Sequence, residues 1–316
     1  MITPKSILIR ADSSSTIGTG HIMRDLVLAD QYKDATITFA TQNLPGNINH
    51  KIEEKQYSIE ILKSNNIEEL IGIIKKLAID MIIIDHYGID YEYEKALKEI
   101  TGISIFVLDD TYEKHHCDIL LNHNIYAEKS RYRSLVPEHC ELRCGTNFTL
   151  LREEFRSKKI QQKKVIQETK NVLIAMGGTD HSNLNIEILK VLKYFPKIHA
   201  NVVTTTANKY LNTLQKYVAD KKNITLYINT DKIATLMGEA DFAIVTPSVT
   251  VNEIVYMTVP FIAIQTASNQ AYMTEYLKQN DYFALEEFDM NKLFQLLSKI
   301  MPNEMHKLLN SDHGER

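Results

Sequence analysis

Cysteine is scarce in this chain, with three residues in 316: Cys117, Cys140 and Cys144. An odd number at that density excludes a disulfide framework, so the thiols are expected to stay reduced. Basic excess is missing too, since 36 Lys and Arg stand against 40 Asp and Glu for a formal net charge of −4. No long Lys/Arg stripe with interleaved aromatics breaks that balance, which argues against nucleic acid as a partner. Long apolar runs are also absent. The longest, such as Met81-Ile82-Ile83-Ile84, end in charge far short of a membrane span, and no signal-peptide core opens the chain. A cytoplasmic protein with no stable membrane association is expected. No short-period repeat or low-complexity tract is visible.

What is present is alternation. Strand-like runs at residues 6–11, 35–40, 57–62, 80–85, 103–109, 118–121 and 141–145 are separated by amphipathic segments. The clearest of these places Ile67, Leu70, Ile71, Ile74 and Leu77 at helical spacing. Such alternation means a parallel sheet wrapped by helices. From 152 to 170 the composition turns to Lys, Gln and Glu, after which apolar runs resume at 171–176, 200–205, 224–229, 241–246 and 260–265. A length of 316 suits two domains, each burying its own core. The expectation is an α/β chain of two doubly wound, Rossmann-like domains facing each other across a cleft. The N-terminal domain covers 1–155, a linker 156–170 and the C-terminal domain 171–316, with a tail of two helices over 290–309.

Gly18-Thr19-Gly20-His21 follows the first strand and puts an imidazole at the mouth of a strand-to-helix turn. Crevices at the carboxyl ends of parallel strands are where open α/β folds bind ligands, so His21 is a catalytic candidate. A helix N-terminus disfavours the protonated ring and keeps the imidazole able to act as a base. A solvent-exposed histidine at a helix start is the alternative, and Asp12 is the nearest carboxylate that would orient the ring. Met176-Gly177-Gly178-Thr179-Asp180 repeats the device at the head of the second domain. It reads as a phosphate seat, in which the glycines let the backbone approach an anion and free N–H groups of the following helix receive a diphosphate, or else as a tight turn. Neither glycine motif fits a dinucleotide fingerprint, because Met23 stands where a third glycine is needed and Thr41 where a ribose-binding acid is wanted.

Ser248, Asn252 and Glu253 fall at the entry of a helix after the strand ending at Thr246; the Glu253 carboxylate would accept the ribose hydroxyls, or simply favour the helix dipole. Asp85-His86-Tyr87-Gly88 ends another strand of the first domain, with Tyr87 a candidate sugar contact and His86 a packed rim residue. The cluster of His115, His116, Cys117, His123, His139, Cys140 and Cys144 matches no zinc-ligand spacing, so no metal site is assigned.

These segments together carry a resemblance. The run from Ile9-Arg10-Ala11-Asp12 into Gly18-Thr19-Gly20-His21-Ile22-Met23-Arg24-Asp25 resembles the opening of the UDP-2,4-diacetamido-2,4,6-trideoxy-β-L-altropyranose hydrolases (PseG family) of pseudaminic acid biosynthesis. Asp85-His86-Tyr87-Gly88, the segment His115 to Asn122, Arg143-Cys144-Gly145, Arg152-Glu153-Glu154-Phe155, Met176 to Asp180, Val251-Asn252-Glu253 and Asn269-Gln270 are similar to family segments in family order. The resemblance runs to about Tyr282, and the chain departs from some relatives in Val249, where they carry a second serine beside Ser248.

It implies a GT-B type fold and hydrolysis without metal or cofactor, with UDP leaving a modified altrose sugar. It implies His21 as general base, Gly177, Gly178 and Thr179 as diphosphate contacts, Glu253 as ribose contact, and Tyr87 and Asn269 as sugar-side groups. Gly20, Ser248 and Asn252 complete the expected substrate-binding set. The expected partner is a UDP-linked diacetamido sugar, and the chain is expected to be a monomer. A glycosyltransferase using the same donor and a non-catalytic sugar-nucleotide-binding protein are the competing readings.

Overall fold

The computed structural model describes residues 4–157 and 170–300. Residues 158–169 of the expected linker, and the second helix expected in the tail, lie outside the described residues. The chain separates into two compact units after Glu153.

In the first unit the apolar runs become β1 (Ser6–Ala11), β2 (Thr36–Gln42), β3 (Ser58–Leu62), β4 (Met81–Asp85), β5 (Ser104–Leu108), β6 (Ile119–Asn122) and β7 (Glu141–Cys144). All pair in parallel, in the order β3-β2-β1-β4-β5-β6-β7. The helices between them are α1 (Gly20–Ala29), α2 (Asn49–Glu54), α3 (Ile67–Lys76), α4 (Tyr91–Thr101) and α5 (Lys129–Tyr132), and α6 (Glu153–Arg156) spans the boundary between the units. Local chemistry sets the helix ends. Asn66 caps α3 by accepting from the Glu68 N–H, with Glu68 and Glu69 in the first turn and Lys75 and Lys76 in the last. Gly102 ends α4 in the left-handed conformation.

Helix α1 has no side-chain cap; it is held by packing. Ile22 and Leu26 join Ile7, Ile9 and Ala11 of β1 and Met81 and Ile83 of β4 in one buried cluster. Each of the Ile, Leu and Met side chains contributes about 1.5–3 kcal/mol on burial, so the few that α1 shares with the sheet together outweigh the roughly 1 kcal/mol of one cap contact.

The second unit contains β8 (Lys170–Ala175), β9 (Ile198–Thr204), β10 (Ile224–Ile228), β11 (Phe242–Val245), β12 (Phe261–Ile264) and β13 (Phe283–Leu285), parallel in the order β10-β9-β8-β11-β12-β13. Its helices are α7 (Leu184–Leu192), α8 (Leu211–Val218), α9 (Ile233–Glu239), α10 (Val249–Tyr256), α11 (Ala271–Gln279) and α12 (Met290–Ile300). The edge strand β13 is additional to the strands expected from the sequence. Helix α12 supplies Leu293 and Leu297 to the core of this unit, where they meet Leu189 and Phe195.

Each sheet reverses its strand order once, between β1 and β4 in the first unit and between β8 and β11 in the second. At such a point the loops leaving the strands turn to opposite faces and open a crevice. His21 follows β1 and Asp85 ends β4; the Gly177–Gly178 turn follows β8 and Ser248 follows β11.

Candidate active site

His21 is the second residue of α1 and is buried to 7% exposure. Its Nδ1 lies 2.8 Å from the Asp85 Oδ1 and 3.0 Å from the Asp85 backbone oxygen. Both partners are acceptors, so Nδ1 carries the ring proton and Nε2 presents its lone pair. The Tyr87 ring meets the imidazole edge to face, with centroids 5.0 Å apart. Tyr87 is exposed, and its hydroxyl donates to the Asp110 Oδ1 at 2.8 Å.

Asp85 is itself gripped. One turn along α1 from His21, Arg24 donates through Nε to Asp85 Oδ2 at 2.6 Å and through Nη2 to Oδ1 at 2.5 Å, and through Nη1 to Asp110 Oδ2 at 3.0 Å. Burial alone would raise the Asp85 pKa, but Arg24 and then His21 overcome it and hold the carboxyl well below the usual carboxylate range. His123, which follows β6 and is buried, is pushed down to about 3 by burial and by the Arg24 charge, so its ring is neutral. The arrangement is a histidine held in one tautomer by a buried carboxylate that an arginine fork fixes in turn.

The sequence pointed to Asp12 for this role, and the structure assigns it elsewhere. Asp12 accepts from Arg10 Nη2 at 2.7 Å and from the Gln42 N–H at 2.7 Å, and sits 3.2 Å from His86 Nε2. Side chains alternate across a strand. Arg10 and Asp12 share one face of the sheet, whereas Ala11, registered against Asp85, is on the face that α1 covers. His86 is packed at the rim, its Nδ1 accepting from the Gly88 N–H at 2.9 Å.

The Cys/His cluster is dispersed. His115 pairs with Glu94 at 2.7 Å, His123 Nδ1 accepts from the Leu150 N–H at 3.4 Å, and the Cys117 and Cys140 sulfurs are 3.6 Å apart at the opposite ends of β6 and β7 from His123 and Cys144. Among the described residues no three His, Cys, Asp or Glu side chains are grouped to hold a metal ion.

In the second unit, Gly177 has φ +78°, a conformation that favours glycine. The Gly178 carbonyl accepts from the Thr205 N–H at 3.0 Å and from the Thr204 and Thr205 hydroxyls at 3.1 and 2.9 Å. That leaves the N–H groups of Gly177, Gly178 and Thr179 with no acceptor among the described residues. The seat differs from the expected one in one respect. The first N–H groups of α7 are already taken, since Asp180 accepts from Leu184 and Asn185 at 2.8 and 3.1 Å. Donors for an anion therefore come from the turn itself. Burial pushes Asp180 up to about 6.

A Cβ on Gly178 would stand 2.9 Å from the Thr205 methyl, closer than real contacts allow. Gly178→Ala is expected to shift Thr205 and the turn, costing about 1–3 kcal/mol of stability, as denaturant titration of wild type and variant would show.

Ser248 precedes α10, with its hydroxyl 3.1 Å from that of Thr246. Asn252 and Glu253 lie one turn into α10 and are buried, and Asn269 sits in a short 3-10 turn, residues Ser268–Gln270, after β12. The ladder between β8 and β11 extends one bond further, where the Thr246 N–H donates to the Ala175 oxygen at 3.3 Å.

No protein-family model matches the chain. The sequence is 43% identical over 278 residues to the UDP-2,4-diacetamido-2,4,6-trideoxy-β-L-altropyranose hydrolase of Campylobacter jejuni, covering 87% of this chain and 97% of that protein. The chain belongs to this hydrolase family. Within the wider set of relatives, the spore coat polysaccharide biosynthesis protein SpsG of Bacillus subtilis is 25% identical over 268 residues, 83% of this chain and 78% of that one. Among solved structures, Acinetobacter baumannii MurG superposes with a TM-score of 0.66 at 15% identity, over 95% of this chain and 92% of its own. That likeness shows the fold: two Rossmann-like domains of the GT-B class. For a hydrolase of this family the informative feature missed by sequence reasoning is the Asp85–Arg24–Asp110 support beneath His21: Asp85 and Arg24 stood only as parts of family-like segments, and Asp110 carried no signal.

Proposed function

We propose that this chain hydrolyses UDP-2,4-diacetamido-2,4,6-trideoxy-β-L-altropyranose, releasing UDP by attack of water at the anomeric carbon with inversion. The relative at 43% identity supports the substrate class, and the observation that carries the chemistry is His21, fixed by Asp85 at 2.8 Å with Nε2 left as a base. His21 takes a proton from water as its oxygen bonds to carbon, and the bond from carbon to the diphosphate oxygen breaks. Asp85 stabilises the imidazolium that forms, as the carboxylate of a catalytic triad does. The unshared N–H groups of Gly177, Gly178 and Thr179 meet the charge growing on the diphosphate.

Glu253 accepts the ribose hydroxyls, Ser248 and Asn252 flank the nucleotide, and Gly20, Tyr87 and Asn269 contact the sugar side. The reaction is assigned to the cytoplasm and to a monomer; among the described residues no helix is long and apolar enough to cross a membrane.

Oxygen-labelled water tests this reading. UDP is expected to be released without any acceptor, with the label recovered in the sugar; label in UDP would mean attack at phosphorus and overturn the assignment. Release only on addition of an alcohol acceptor would instead make the chain a glycosyltransferase.

A further inference from the structure

On α1, Asp25 is buried beside Arg24 and is left unused by the proposed chemistry. Its carboxyl is fully buried, and no group among the described residues donates a hydrogen bond to either oxygen. Its charged neighbours are Arg24, adjacent on α1, and Asp85 on β4. Arg24 spends its fork on Asp85 and Asp110, while His21 gives Nδ1 to Asp85; His123, which feels the charges of Arg24 and Asp85, is neutral.

An ionised Asp25 would place a second bare carboxylate against Asp85 with neither water nor donor to satisfy it, a costly state in a buried site. A carboxylate offers about four lone-pair positions. Three at Asp85 are filled, two by Arg24 and one by His21, so one remains for a donor. We infer that Asp25 is a positioning residue that keeps its proton and donates it to Asp85, fixing the carboxylate that holds His21.

Burial and the Asp85 charge raise Asp25 well above the ordinary carboxylate range, consistent with that arrangement. The sign of the linkage is then set. A carboxyl whose folded value is raised favours folding below its unfolded value near 3.8, and that contribution is lost as pH rises toward the folded value. His115, which burial would lower but contacts with Asp109 and Glu94 push up to about 9, and His123, at about 3, also titrate on unfolding. Both are common to wild type and variant and cancel in a comparison.

The part of this inference that concerns catalysis rests on the UDP-sugar hydrolase reading; the proton itself is tested without substrate. The substrate-free protein is expected to show a carboxylic-acid carbonyl band in the infrared at neutral pH that Asp25→Asn removes. The folding constant of wild type relative to Asp25→Asn is expected to fall about tenfold per pH unit above pH 5. With substrate, Asp25→Ala is expected to lower kcat about tenfold or more and to move the acid limb of the kcat profile, with KM nearly unchanged, while Asp25→Asn recovers most of the rate because its amide still donates.

An unchanged infrared band in Asp25→Asn, a pH-independent stability ratio, or full activity in Asp25→Ala would overturn the inference. Should Asp25→Ala not fold, the band and the ratio in Asp25→Asn decide. A wild type that shows the band and the slope but releases no UDP would overturn the hydrolase reading and leave the Asp25 proton standing.

Discussion

His21→Phe is expected to lower UDP release by about 10²–10⁴, the contribution of a positioned general base, while UDP binding stays within about twofold of wild type. Phenylalanine supplies a ring for the edge contact with Tyr87 at 5.0 Å, so packing at the start of α1 survives, while the Nε2 proton acceptor and the Nδ1 donor to Asp85 are both removed. The loss should fall on kcat rather than KM, because the base acts in the transition state and not in ground-state binding. Single-turnover kinetics paired with UDP calorimetry separates the two. Near-normal turnover in His21→Phe would remove His21 from the chemistry, whatever the fold.

Most of the strands were legible because strands buried on both faces read as continuous apolar runs. Met81-Ile82-Ile83-Ile84 and Ile7-Leu8-Ile9 are of that kind, and β4 and β1 match the ranges expected around them, 80–85 and 6–11, within a residue. β13 escaped for the opposite reason. It is a three-residue edge strand with Phe283 exposed, too short to show either a run or an alternation. His21 could be singled out because glycines, strand end and helix start are contiguous in the chain.

Its support could not, because β1 and β4 are neighbours in the sheet but separated in sequence by β2 and β3. Sequence proximity favoured Asp12, one residue out of phase with the face that α1 covers. A single step along a strand exchanges the two sides of a sheet. The same limit applied at the second turn, where the first N–H groups of α7, expected as donors to an anion, are instead taken by the Asp180 carboxylate.

That difference of face yields the second large effect. Asp85→Asn is expected to destabilise the protein by about 3–5 kcal/mol, the usual cost of removing one partner from a buried ion pair, because Arg24, 5% exposed, is left with Asp110 as its only ionic partner among the described residues. It is expected also to lower kcat by about 10²–10⁴, since an asparagine amide facing Nδ1 can favour the wrong tautomer; the comparable change in a catalytic triad costs about 10⁴.

Asp12→Asn provides the matched comparison. It too breaks a buried pair, Arg10 with Asp12 at 2.7 Å, and should cost stability, but it lies on the other face and leaves His21 Nδ1 untouched. Both carboxyls are held well below the ordinary range, Asp12 against its own burial by His86 and Arg10, so each wild-type pair stabilises the fold above about pH 4 and is lost as the solution is acidified. Denaturant titration would therefore show both variants weakened at neutral pH and converging on wild type in acid. Activity per folded molecule is expected to separate them, collapsing in Asp85→Asn and persisting in Asp12→Asn. Equal losses of kcat would mean that Asp85 serves the fold alone, and the orienting carboxylate of His21 would have to be sought elsewhere.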